Sequence, residues 1–136
     1  MSPLEQFLPY LLQHPLHRAM GLREIETADG TAWFEVDIGP DTVNTADMFH
    51  GGVVYALADL AALSAALTRL PEGHFAVTHD LHVSMMRAGM RGQRARFEGR
   101  VLRMGRSLAF IQVEVSCAGE VLARASVTKS ILKSAR

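Results

Sequence analysis

The chain has 136 residues, about half of them apolar, a length and composition that suit a single domain with a sizeable core. Its 14 basic and 14 acidic residues cancel, so charge gives no reason to expect DNA, RNA or an anionic membrane as partner. The lone cysteine, Cys117, cannot close an internal disulfide, no run reaches the roughly 18 apolar residues of a membrane span, and no basic-then-apolar leader opens the chain; the expected location is cytoplasmic.

In chain order, Pro3 to Leu12 places Leu4, Phe7, Leu8, Leu11 and Leu12 at helical spacing, with Pro9 expected to shorten or kink the helix. Leu16 to Met20 adds another turn, so about the first 20 residues form a short helical lead. Leu22 to Thr27 and Thr31 to Ile38 read as strands joined at Asp29-Gly30, a hairpin signal. Pro40 to Phe49 is a polar connector rich in turn formers.

Gly51-Gly52 then opens an apolar run, Val53 to Leu67, dominated by Ala and Leu. Apolar residues lie all round its helical wheel, which predicts a buried helix. Its alanines would let a sheet approach closely. Val77 to Met86, Ala95 to Met104, Leu108 to Cys117 and Val121 to Leu132 follow as partly alternating strands, punctuated by glycines. Successive hairpins imply an antiparallel sheet, and a single apolar helix needs that sheet curved around it. The expected fold class is therefore α+β, one domain over 1–136.

Asp59 stands out because it lies within Val53 to Ala62, where its neighbours prefer to be dry. A carboxylate there is either a structural group with backbone or hydroxyl partners, or a general base or nucleophile held in a pocket. The His50-Gly51-Gly52 turn is the second feature. A helix start presents free N–H groups and a positive dipole end, and glycine lets a ligand approach that backbone. Developing negative charge on a carbonyl would be stabilised there. Gly51 and Asp59 are eight residues apart, roughly 12 Å along a helix. One small carbonyl cannot readily meet both within one chain, which predicts a site shared across a two-fold dimer.

His79 and His82, three apart in a strand, are expected on opposite faces, which argues against a shared metal site. No Cys/His cluster, phosphate-binding loop, dinucleotide-binding glycine pattern or serine nucleophile elbow occurs, and no metal is expected. Cys117 reads as a small buried hydrophobe.

The segment Asn44…His50-Gly51-Gly52-Val53…Leu57-Ala58-Asp59, with Thr78 and Gly105-Arg106-Ser107 later, resembles the hotdog-fold thioesterases, in particular the PaaI-like branch named for phenylacetate degradation. The similarity runs from about Gly21 to the end. It implies an antiparallel sheet wrapped around a long central helix, acyl-CoA hydrolysis, a homodimer or a homotetramer built as a dimer of dimers, and no cofactor beyond the CoA of the substrate. It assigns Asp59 as general base or nucleophile, and the Gly51 N–H as the donor that polarises the thioester carbonyl. By the same resemblance His50 positions the thioester, Asn44 orients water or substrate, and Thr78 stands beside the carboxylate. Asp59 and Thr78 would come from one subunit, and Asn44, His50 and Gly51 from the other. Gly52, Met85, Arg87, Arg106 and Ser107 are candidate substrate or CoA contacts, the arginines because a guanidinium suits phosphate. Where the family often has proline after Met85-Met86-Arg87, this chain has Ala88. Two other hotdog activities use related sites: an acyl-CoA hydratase or dehydratase, and a non-catalytic acyl-CoA-binding module.

Overall fold

The structure, a computed structural model, describes residues 1–134. Its chain order is α1 (Pro3–Gln13), α2 (Pro15–Ala19), β1 (Glu26–Ala28), β2 (Thr31–Asp37), α3 (Gly51–Leu67), β3 (His74–Met85), β4 (Arg94–Met104), β5 (Leu108–Cys117) and β6 (Glu120–Lys133). The strands form one antiparallel sheet in the order β1-β2-β4-β5-β6-β3.

Ser2 caps α1 by accepting the Glu5 N–H, and Pro3 supplies a preset first helical residue. α1 is a short helix of 11 residues that runs through Pro9. The missing N–H would have served the carbonyl of Glu5, an exposed residue. Phe7 anchors the helix against Phe75, their ring centroids 4.5 Å apart. The strand expected over Leu22 to Thr27 shrinks to β1. The Leu22 N–H is drawn back to the His17 carbonyl, and Leu22 and Ile25 are buried without a ladder partner.

Alternation sets the faces of the sheet. Ala32, Phe34 and Val36 of β2, and Ala109, Ile111, Val113, Val115 and Cys117 of β5, point inward, while Gln112 and Glu114 face solvent. These residues meet Leu57, Ala58, Ala61, Ala62 and Ala65 of α3 in one core. Full burial of each larger aliphatic side chain contributes roughly 1.5–3 kcal/mol. The close helix–sheet approach depends on Gly99 in β4 as well as on the alanines. A Cβ at Gly99 would stand 2.5 Å from the Ala61 carbonyl oxygen. Cys117 is buried, and burial pushes its thiol pKa up, as suits a packing residue.

The expectation that α3 is buried all round needs correction. Its buried residues cover one broad side, whereas Gly52 and Tyr55 are exposed and Val53, Ala56, Asp59 and Leu63 half-buried. The sheet wraps the helix on one side and leaves a stripe open.

A β-bulge at His79 separates two registers in the β3–β6 pair: Thr78 faces Lys129, and Asp80 faces Thr128. Ala76 is buried before the bulge; after it the half-buried positions are Leu81 and Val83. The extra residue reverses the alternation. It also overturns the expected placement of His79 and His82 on opposite faces. His79 reaches Ser130 and His82 pairs with Ser126, positions of one face of β6. No helix is long and apolar enough to cross a membrane among the described residues.

Candidate active site

Asp59 sits two turns into α3 on the open stripe, with its side chain 36% exposed. The bulged β3 brings Thr78 beneath it, and the Thr78 hydroxyl donates to Asp59 Oδ1 at 2.6 Å. A residue that the sequence reading passed over completes the group. Lys129 of β6, 2% exposed, donates from Nζ to Asp59 Oδ1 at 2.9 Å and to Thr78 Oγ1 at 3.0 Å. Burial pushes the Lys129 ammonium below the ordinary lysine range, while the Asp59 charge and hydrogen bond pull it back up. Both donors converge on Oδ1; among the described residues none bonds Oδ2.

The Lys129 signal was present in the sequence. Ala123, Ala125, Val127, Lys129 and Ile131 form an alternating inward row, and a lysine within it needs a buried partner. Asp59 is that partner, 70 residues away in the chain.

The second group lies at the start of α3. His50 caps the helix with extended backbone, φ −65° and ψ 127°. Its Nδ1 accepts the Gly52 N–H at 2.9 Å. That acceptance places the proton of a neutral imidazole on Nε2. The Gly52 N–H is thereby taken, so any contact of the exposed Gly52 with a substrate is made without that donor. The Gly51 N–H has no hydrogen bond among the described residues, and the space where a Gly51 Cβ would stand is open. Asn44 is turned toward its own loop: Oδ1 accepts the N–H groups of Ala46 and Met48. That leaves its amide NH2 as the group able to donate elsewhere.

The two groups lie apart along α3, one at its start and one at its middle. The helix start is tied to the segment after β3 by the Phe49 N–H on the Gly89 carbonyl, so Met85 and Arg87 belong to that end. Arg87 is engaged there by Glu120 at 3.6 Å across the surface. Arg106 and Ser107, in the turn between β4 and β5, belong with the Asp59 group. The Ile131 N–H bonds the Ser107 carbonyl, and Ala109 pairs with Lys129. Arg106 is exposed. Asp59, Thr78 and Lys129 are thus together, whereas Asn44, His50 and Gly51 stand about two helical turns away, roughly 12 Å.

A curved antiparallel sheet around one long helix, with a lone carboxylate on that helix and a glycine turn at its start, defines a hotdog-fold thioester hydrolase of the PaaI-like kind. The chain belongs to the thioesterase superfamily, whose family model matches residues 47–129, more than half its length. Among solved structures it is similar to the phenylacetic acid degradation protein PaaI from Thermus thermophilus, determined as a point mutant. The two share 29% identity with a TM-score of 0.78, over 85% of this chain and 97% of that one. A thioesterase from Haemophilus influenzae shares the fold at a TM-score of 0.86 and 18% identity, over 96% of this chain and 92% of that one. A hypothetical thioesterase from Streptococcus pneumoniae, solved with coenzyme A, shares it at 0.75 and 20%, over 81% and 88%.

Proposed function

We propose that the chain hydrolyses acyl-CoA thioesters with Asp59 as the reacting group. The observation that carries this reading is the polarity of that carboxylate: Oδ1 is held by Thr78 and Lys129, Oδ2 has no partner among the described residues, and the side chain is 36% exposed. An oriented carboxylate with one free oxygen is suited to take a proton from water or to attack a carbonyl. In the water route, Oδ2 accepts the proton as hydroxide adds to the thioester carbon. The oxyanion forms against the Gly51 N–H, and the intermediate collapses to the acid and the CoA thiolate, which takes up the proton. In the covalent route, Oδ2 adds first, CoA leaves, and water cleaves the resulting anhydride. The His50 Nε2–H and the Asn44 amide hold the thioester end. The chemistry uses the chain's own side chains, with no metal or resident cofactor, and CoA arrives with the substrate.

The separation of Asp59 from Gly51 supports a homodimer in which the two act from different protomers. Support comes from β3, a 12-residue strand at the sheet edge with Val77 and Met85 exposed. Such an edge invites pairing with a second copy, and the open stripe of α3 lies beside it. Two dimers associating back to back give the tetramer. Arg106 and Ser107 reach the CoA phosphates, with Arg87 following once it leaves Glu120; the coenzyme A in the pneumococcal relative favours this carrier. Met85 forms an adaptable wall for the acyl group, and arylacetyl groups such as phenylacetyl fit the likeness to PaaI. The working location is the cytoplasm.

The test is thiol release from phenylacetyl-, hexanoyl- and palmitoyl-CoA by wild type and Asp59→Asn. Hydrolysis of at least one, reduced by about three orders of magnitude in the variant, is expected. Equal rates for the two proteins would refute the assignment.

A further inference from the structure

We infer that Lys129 is a positioning residue that fixes which oxygen of Asp59 reacts. This rests on Asp59 being the reacting group. An ammonium carries donors and no lone pair. Thr78 Oγ1 can therefore only accept from Lys129, and its own hydrogen must point elsewhere. At 2.6 Å the acceptor is Asp59 Oδ1. The lysine thereby sets the rotor of the threonine hydroxyl and adds a direct bond to the same Oδ1 at 2.9 Å. Two donors on Oδ1, and none on Oδ2 among the described residues, give the half-exposed carboxylate a fixed plane with one oxygen left free.

A neutral side chain at position 129 would release the hydroxyl to rotate and halve the bonds that orient Oδ1. Position and burial support a dedicated role. Lys129 lies in the inward row of β6 between Val127 and Ile131, directly opposite Thr78 and Ala109, and the β-bulge at His79 begins where that pairing ends. A buried ion pair contributes little net stability compared with an apolar replacement of similar volume. Packing alone therefore gives no reason for a lysine here. The charged group facing Nζ is Asp59 of α3; the facing positions on β3 and β5 are Thr78 and Ala109, neither ionisable.

Lys129→Met keeps the apolar stem and removes the ammonium. With the best-hydrolysed member of the acyl-CoA panel, kcat should fall by about 100-fold, as for loss of one preorganised donor. KM should stay within about twofold, since the lysine touches no substrate. Thr78→Val should cost far less in the Lys129→Met background than in wild type, because the two act on one oxygen. Lys129→Ala should regain activity with millimolar propylammonium and not with propanol, a response that a purely structural role would not give. Wild-type kcat in Lys129→Met, or additive losses without rescue by the amine, would overturn the proposal. Asp59→Asn separates the two claims: full activity there removes the reading of Asp59 itself, whereas a dead Asp59→Asn beside a fully active Lys129→Met removes only the role of Lys129.

Discussion

Asp59→Ala and Lys129→Met break the same ion pair and should differ sharply in stability. Removing one member of a fully buried pair costs about 3–5 kcal/mol, because the other charge is left without compensation. Here the two members are unequal: the Lys129 side chain is 2% exposed and that of Asp59 36%. In Asp59→Ala the stranded group is the dry ammonium, which keeps Thr78 Oγ1 as an acceptor. That retained bond lowers the cost to about 2–3 kcal/mol. In a domain of this size the melting temperature should drop by about 10 °C. In Lys129→Met the stranded group is a carboxylate that water reaches and Thr78 still serves, so stability should change by less than about 1 kcal/mol. The double variant should recover most of the loss seen in Asp59→Ala while remaining inactive. Circular dichroism melts at pH 7.5 measure all three. A melting point for Asp59→Ala equal to that of wild type, or an equal fall in Lys129→Met, would contradict the burial asymmetry.

Further outcomes follow from the same geometry. Gly99→Ala should destabilise by about 1–3 kcal/mol through overpacking against the Ala61 carbonyl, read by denaturant unfolding. Gly51→Pro should fold normally, because proline suits a first helical position and His50 already has the extended backbone that precedes proline; it should lose about 100-fold in kcat with the N–H donor. Lys129 has its pKa lowered by burial, so the unfolded chain binds the extra proton in the window between the folded value and the ordinary 10.5. Unfolding free energy should therefore rise with pH across that window, and denaturant titrations of Lys129→Met should lack this slope.

The sequence made the central helix, the glycine turn at its start and five of the strands readable, because each rests on local signals: alanine-rich helix propensity, Gly-Gly before an apolar run, and alternation between turns. Asp59 stood out through its apolar neighbours. The open stripe of α3 did not, since Gly52, Tyr55, Ala56 and Leu63 look apolar on a helical wheel whether a sheet or a second chain covers them. Leu22 to Ile25 had strand composition, yet a backbone bond to His17 took it out of the ladder. The bulge at His79 is a matter of register between β3 and β6, and no local residue type announces it. Lys129 was legible in principle as a charge in an inward row, but its meaning required Asp59 and Thr78 to be brought beside it by tertiary pairing.

The central claim, that Asp59 of one protomer works with the Gly51 N–H of another, is tested most directly by mixing two inactive variants. Asp59→Asn and Gly51→Pro are refolded together in equal amounts and assayed for CoA release. If each site draws on two chains, random association leaves about one quarter of the sites with both groups intact, in a dimer or a dimer of dimers alike. The mixture should therefore recover about a quarter of wild-type activity. Because every chain carries one defect, a site contained within a single chain can recover none. A mixture as inactive as its components would contradict the shared site.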